Sequence, residues 1–312
     1  MTIPKSLQGR LKLPVIAAPM FIISQPDLVI AQCRAGIVGA FPSLNARPSG
    51  MFEQWLQRLT AELTEADAPY AVNLIVHRSN ARLEEDLALC VRYRVPIVIT
   101  SLGARPEVNE AIHSYGGIVF HDIINDTFAH KAIDKGADGL VAVAAGAGGH
   151  AGTTSPFALI AEIRRWFDGP LALSGAIATG GAILAARAMG ADFGYMGSAF
   201  IATREANAAP EYKAMITQSD SADIVYSNYF TGVPGNYLRP SIVRAGLDPD
   251  ALPLSDASKM DIGALGGETK AWRDIWGCGQ GIGAVTEVLP VAGLVARLQQ
   301  EYRDALARLA KD

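Results

Sequence analysis

Eight short apolar runs, each followed by a longer amphipathic stretch, set the rhythm of the first two-thirds of this chain. They restrict its fold more than any other feature. The runs fall at residues 14–18, 37–41, 70–75, 96–100, 117–121, 139–143, 170–174 and 193–197. They are mostly apolar instead of alternating, as strands covered on both faces are. The stretches at 26–34, 51–65, 80–92, 106–114, 126–135, 156–166 and 180–189 carry helical spacing. Ser24 ahead of Pro26, Ser155 ahead of Pro156, and Thr179 supply helix starts; Gly36, Gly116, Gly136 and Gly190 fall where helices should stop. Strand–helix alternation means a parallel sheet, and eight strands is the number that closes it. The expected fold is α/β, a (β/α)8 TIM barrel. An open doubly wound sheet shares the alternation and is the competing architecture.

The rhythm breaks after Ala209. Residues 210–275 are richer in polar residues, Pro and Gly, as in Gly232-Val233-Pro234-Gly235-Asn236, and predict a small, mostly helical cap over the barrel mouth. Helical periodicity returns at 291–309, so the barrel is expected to comprise 1–209 and 276–312. Half of the 312 residues are hydrophobic and 19% are charged, enough for a large core and too apolar for disorder. The net charge of −4, with no Lys/Arg run, argues against nucleic acid or an anionic membrane as partner. No apolar run reaches the length of a spanning helix, and the first residues lack a signal-peptide core. Cys33, Cys90 and Cys278 are odd in number and widely spaced, so a reduced, cytoplasmic protein is expected.

Barrel enzymes collect their chemistry at the C-terminal ends of the strands. Those ends read Ala18-Pro19-Met20, Asn73, Ser101, His121-Asp122, the glycine-rich Gly146–Gly152 stretch with His150, Ser174-Gly175-Ala176, and Gly197-Ser198. The loops after the seventh and eighth strands are glycine-rich and precede helices, the second expected near 202–208. Backbone N–H groups and helix N-termini there would suit a phosphate; ordinary turn glycines are the alternative. His150 sits among four glycines with no bulky neighbour, which suggests close approach to a flat ligand and a neutral imidazole able to take a proton near pH 7. An incidental histidine in a flexible loop is the competing reading. His113 and His130 read as surface residues, and His77 is open to either role. Tyr226, Tyr229, Phe230 and Tyr237 would line a cavity or form the cap's own core. Gly279-Gln280-Gly281-Ile282-Gly283 lacks the spacing and βαβ context of a dinucleotide fingerprint, and the Cys and His residues lack metal-ligand spacing.

Taken in order, Ala18-Pro19-Met20, Val72-Asn73-Leu74, Ala147-Gly148-Gly149-His150-Ala151-Gly152, Ser174-Gly175-Ala176-Ile177-Ala178, Met196-Gly197-Ser198-Ala199-Phe200, and Asp274-Ile275-Trp276 followed by Gly279-Gln280-Gly281 resemble the nitronate monooxygenase family. The resemblance spans nearly the whole chain. It implies a capped (β/α)8 barrel holding one non-covalent FMN and oxidising alkyl nitronates with O2. It places Met20 and Asn73 by the isoalloxazine and Gly175, Gly197 and Ser198 at the phosphate. His150 matches the active-site base. Ala18, Pro19, Ser101, His121, Gly148, Gly149, Ser174, Ala176 and Gln280 complete the expected cofactor site. The expected partners are a small-molecule substrate and O2, with a homodimer as the assembly to expect if the chain self-associates. Departures from the family pattern fall at Val143 and Gly146, where Gln and Glu are frequent, at Ala18, where Gln is frequent, and at Ala176 in place of a second glycine. Relatives of the same architecture include NAD(P)H:quinone reductases and flavin-dependent enoyl-thioester reductases, which are the alternative function. A non-catalytic binder of phosphorylated ligands is a third.

Overall fold

The computed structural model describes residue 4 and residues 7–48, 50–255 and 273–311. Eight parallel strands run β1 (Val15–Ala17), β2 (Gly39–Pro42), β3 (Tyr70–Ile75), β4 (Ile97–Ser101), β5 (Ile118–Ile123), β6 (Gly139–Val143), β8 (Leu171–Ser174) and β9 (Phe193–Met196). A two-residue strand β7 (Gly149–His150) lies outside this set. Each barrel strand pairs with its neighbour in chain order, and β9 pairs with β1. The last seam closes through a bridge: the Ala17 N–H donates to the Val38 carbonyl at 2.8 Å, and the Val38 N–H donates to the Val15 carbonyl at 3.1 Å. The sheet is therefore the expected barrel.

The uniformly apolar runs follow from this closure. Along β4, Ile97 and Ile99 join Ile16, Val38, Ala40, Ala71, Val141 and Ala172 inside the barrel, while Val98 packs outward under the helices. Phe120 and Phe193 meet edge-on inside, ring centroids 6.3 Å apart. A Cβ on Gly139 would come within 2.6 Å of the Phe120 ring, so glycine there makes room for an aromatic filler.

The outer layer comprises α1 (Pro26–Ala35), α2 (Met51–Glu62), α3 (Leu83–Arg92), α4 (Pro106–His113), α5 (Asp126–Asp134), α6 (Pro156–Ile163) and α7 (Gly180–Met189). Thr179 caps α7 by accepting the Ala182 N–H, and Gly36 and Gly190 end their helices in the left-handed conformation. The third helix starts at Leu83, not 80, because the Asn80 side chain donates to the Ile75 carbonyl and accepts the Arg82 N–H, forming a turn. The helix expected near 202–208 is absent. A four-residue helix α8 (Ser198–Ile201) comes first, and the backbone beyond it is committed elsewhere: Arg204 donates to Leu289, and Asn207 donates to Ile23.

Beyond Ala209 come α9 (Pro210–Thr217), a 3-10 turn at Ser221–Asp223, β10 (Ile224–Ser227), β11 (Gly235–Leu238) and α10 (Arg239–Arg244). Residues 256–272 of the expected cap lie outside the described residues. The sequence did not announce that β10 and β11 form an antiparallel hairpin, with β7 as a third strand. The cap is thus hydrogen-bonded to the His150 loop, with Gly235 opposite His150 and Asn236 opposite Gly149. The chain ends in α11 (Val291–Leu309), which packs on α7 and α1.

Candidate active site

The C-terminal ends of the barrel strands open into one cavity of about 820 Å3. Its wall gathers Ala18, Pro19 and Met20 after β1, Asn73 from β3, Ser101 from β4, His121 and Asp122 from β5, Gly148–His150 at β7, Ser174 from β8, and Gly197 and Ser198 after β9. A second, smaller hollow adjoins it through shared walls at Gly148, Ser174, Gly197 and Ser198, and adds Gly175 and Ala176. Of the cofactor-site and catalytic residues that the resemblance implies, Gln280 alone lies on neither wall. It supports the hollow from behind: its N–H donates to the Gly146 carbonyl at 2.9 Å. A Cβ on Gly146 would lie 2.9 Å from the Gln280 side-chain oxygen, so Gln280 fills the space a side chain at 146 would take.

The small hollow is built from backbone. Gly175 has φ +145°, which only glycine adopts comfortably, and Ala176 follows at φ +55°, an uncommon conformation for an L-residue. The Ser198 N–H finds no acceptor among the described residues, whereas the Gly175 N–H continues the ladder that pairs Ser174 with Tyr195. The expected contribution of the α7 N-terminus is corrected, because it already has its own anion. The Glu301 carboxylate on α11 accepts the Gly180 N–H at 2.8 Å, and Leu298 and Tyr302 press directly on Gly180. Donors for a ligand in the hollow are therefore the loops after β8 and β9.

His150 is held by the cap. Its Nε2 lies 2.9 Å from the Thr231 hydroxyl. That hydroxyl also lies 3.1 Å from the Val233 carbonyl, which can only accept. When the hydroxyl proton goes to Val233, the hydroxyl oxygen accepts from His150 and the neutral imidazole is the Nε2–H tautomer. Burial lowers the His150 pKa to about 4, so the ring is neutral at physiological pH. His121 is also held neutral, at about 4, by burial and then by Lys135; its Nδ1 sits 2.6 Å from the Thr100 hydroxyl. His77, His113 and His130 are surface residues bonded to Ser79, bonded to Asp138, and stacked on Trp166, respectively.

Three polar residues along β3, β4 and β5 form a chain that the sequence did not reveal. The Asn73 amide donates both hydrogens inside the barrel, to the Ile99 carbonyl at 2.9 Å and the Ser101 hydroxyl at 2.8 Å. Asn73 therefore offers only its carbonyl oxygen to a ligand. Ser101, having accepted from Asn73, donates to Asp122, and the Leu102 N–H donates to the same carboxyl. Leu102 adopts φ +61° to do so. Burial pushes Asp122 up to about 6 despite these donors. Tyr195 and Thr231 also line the cavity and had no distinguishing sequence signal. The cap aromatics divide: Tyr226 lines the cavity, while Phe230 and Tyr237 pack together, centroids 4.8 Å apart, in the cap's own core.

A family model described as nitronate monooxygenase matches residues 44–301, most of the chain. The chain belongs to the nitronate monooxygenase family. Among curated members of that family, the nitronate monooxygenase of Paraburkholderia phytofirmans is 27% identical, over 95% of this chain and 94% of its own length. The (3aS,4S,5R,7aS)-5-hydroxy-7a-methyl-1-oxo-octahydro-1H-indene-4-carboxyl-CoA dehydrogenase of Rhodococcus jostii is 25% identical over 74% of this chain, which spans 64% of that protein's length. Among solved structures, a nitroalkane oxidase from Streptomyces ansochromogenes superposes with a TM-score of 0.83 at 24% identity, covering 98% of this chain and all of the other. That likeness establishes the barrel.

Proposed function

We propose that this chain is an FMN-dependent nitronate monooxygenase that oxidises alkyl nitronates with O2, with His150 as the base or anion-orienting group. The observation that carries this reading is the meeting, on adjoining walls, of a neutral, cap-anchored His150 with a glycine-lined hollow onto which the unspent Ser198 N–H opens. FMN fits the donor set. Ser198 would hold its phosphate through its backbone N–H, with Gly175, Ala176 and Gly197 lining the space it would occupy. Ala18, Pro19 and Met20 offer an apolar wall to its ring, and Asn73 offers a single acceptor. Ser101, His121, Gly148, Gly149 and Ser174 would enclose the rest, with Gln280 as support. The flavin, when bound, supplies the electron-accepting chemistry. His150 would take the proton of a neutral nitroalkane on Nδ1 or orient the nitronate anion. Thr231 holds the ring in the tautomer that makes this possible, and residues 210–275 act as the lid that carries Thr231.

A second reading, an NAD(P)H-dependent reductase of quinones or enoyl thioesters, is favoured by one feature. Exposed apolar side chains, Ile124, Phe128 and Tyr226, line the cavity and exceed what a small nitronate needs. The visible spectrum of the purified protein separates the readings. Bleaching of a bound flavin by an anaerobic nitronate, and not by NADH or NADPH, is the expected result. Rapid bleaching by a nicotinamide alone would replace the first reading with the second, and a protein that takes up no FMN would overturn both.

A further inference from the structure

The proposed function leaves the carboxyl on the cavity wall without a role. Asp122 ends β5, lines the cavity and accepts from the Ser101 hydroxyl and the Leu102 N–H. An ionised carboxylate has about four acceptor sites, so two donors leave capacity facing the cavity. The local backbone is specialised for this arrangement: Leu102 is a non-glycine residue held at φ +61°. Such conformations persist where the surrounding structure enforces them, and they concentrate at functional sites. The titratable and charged groups that share the cavity wall are Tyr195 from β9, His121 beside it on β5, His150 from β7, Tyr212 from α9, Tyr226 from β10, Lys131 from α5 and Lys135 just after it. Among the described residues, the influences on the Asp122 carboxyl are burial, which raises it, and its two donors, which lower it. Its charge is felt instead by Tyr195, which is pushed further from ionisation.

We propose that Asp122 sets the electron affinity of the flavin in this cavity, holding its reduction potential low when the carboxyl is ionised and releasing it when the carboxyl is protonated. Two-electron reduction adds negative charge to the isoalloxazine unless two protons follow. An uncompensated carboxylate in the same low-dielectric space opposes that charge. The proposal rests on the FMN reading above. Its consequence is pH-dependent: burial places the change near pH 6, with the lower potential above it.

The test is the midpoint potential of the purified flavoprotein, equilibrated with a reference dye under dithionite between pH 5 and 8. At pH 7.5, Asp122→Asn is expected to raise the reduced-to-oxidised ratio at fixed potential at least tenfold, about 30 mV for a two-electron couple. At pH 5 the two proteins should converge. Ser101→Ala provides an independent arm. Without the hydroxyl donor the carboxyl ionises later, so the break in the potential–pH curve of the flavin-loaded variant should move upward. Equal potentials for wild type and Asp122→Asn at pH 7.5, with normal flavin spectra, would overturn the proposal and leave the FMN reading standing. Absence of flavin from wild type would overturn the FMN reading and this inference with it. If Asp122→Asn does not fold, an unmoved break in Ser101→Ala refutes the proposal by itself.

Discussion

Replacing Thr231 with valine keeps the shape of the side chain and removes the hydroxyl that faces His150 Nε2. In the wild type, the Nε2–H meets the hydroxyl oxygen at 2.9 Å, while the hydroxyl proton is committed to Val233 at 3.1 Å. A neutral hydrogen bond of this kind contributes about 0.5–1.5 kcal/mol, and one to a charged group about 1.5–3 kcal/mol. The imidazolium therefore loses about 1 kcal/mol more than the neutral ring when the acceptor goes. The His150 pKa, already lowered to about 4 by burial, should fall by a further ~0.7 unit. The tautomer bias should drop about fivefold for the same loss of ~1 kcal/mol. Nitrogen NMR of the labelled imidazole reads both, because protonated and unprotonated ring nitrogens resonate far apart. Wild type should show a protonated Nε2 at neutral pH. Thr231→Val should show a tautomer mixture and a lower titration point, and Thr231→Ser should restore the wild-type pattern. A wild-type ring protonated on Nδ1, or a Thr231→Val spectrum identical to wild type, would refute the hydroxyl-proton argument.

Three further outcomes follow from other parts of the structure. His121 and His150 have folded pKa values near 4 against 6.5 unfolded, so the unfolded state binds protons first and stability falls as pH drops from 6.5 toward 4, by roughly 3 kcal/mol for each histidine. Asp122, raised to about 6, acts with the opposite sign and offsets about one histidine between pH 6 and 4; urea midpoints should therefore fall modestly in wild type and more steeply in Asp122→Asn, and a flat profile in both would contradict the assignment. Arg164→Met strips the 2.8 Å partner from buried Asp192, whose carboxylate also accepts the Leu171 N–H, and should cost about 3–5 kcal/mol by calorimetry or urea melt, at a site remote from the cavity. Gly235→Ala would place a Cβ 2.7 Å from the Gly149 carbonyl; the cap strand should lift from β7 at a cost of about 1–3 kcal/mol, with loss of hydrogen-exchange protection at Ala151, Gly235 and Asn236 and not in the barrel strands.

The barrel was legible because its signal is redundant. Every strand is apolar on both faces, and alternate residues such as Ile97 and Val98 go to opposite sides of the same wall. Strand ends were equally readable, and from them most of the cavity wall: Ala18, Asn73, Ser101, His150 and Ser198 lie where strand order puts them. The cap was not. A hairpin of two four-residue strands joined by Asn228–Pro234 carries little periodicity, and its third strand is two residues of a glycine loop. The placement of Asp122 and Thr231 on the cavity wall was hidden for a related reason. Nothing local distinguishes an inward carboxyl from an outward one; its surroundings are supplied by Ser101 on the neighbouring strand and by the strained Leu102. The α7 N-terminus misled in the same way, since the carboxylate that occupies it comes from Glu301, more than a hundred residues away.

The glycines around His150 change their meaning in the structure. Read from sequence, they suggest a bare surface for a flat ligand. In three dimensions several of them let backbones touch. A Cβ on Gly148 would fall 2.7 Å from the Gly279 nitrogen, and one on Gly279 would fall 2.7 Å from the Gly146 carbonyl. Gly281 is as tight against the Ala176 carbonyl, at 2.8 Å. The loop after β6, the loop after β8 and the segment before α11 therefore interlock through glycines, and β11 closes on the same loop from the cap side. This arrangement fixes His150 without a bulky neighbour: a short strand holds its backbone and one hydroxyl holds its ring. It also ties His150 to the β10–β11 hairpin: a displacement that opens the β7–β11 pairing would carry Thr231 away from Nε2. A loop kept flexible for ligand approach would not couple them.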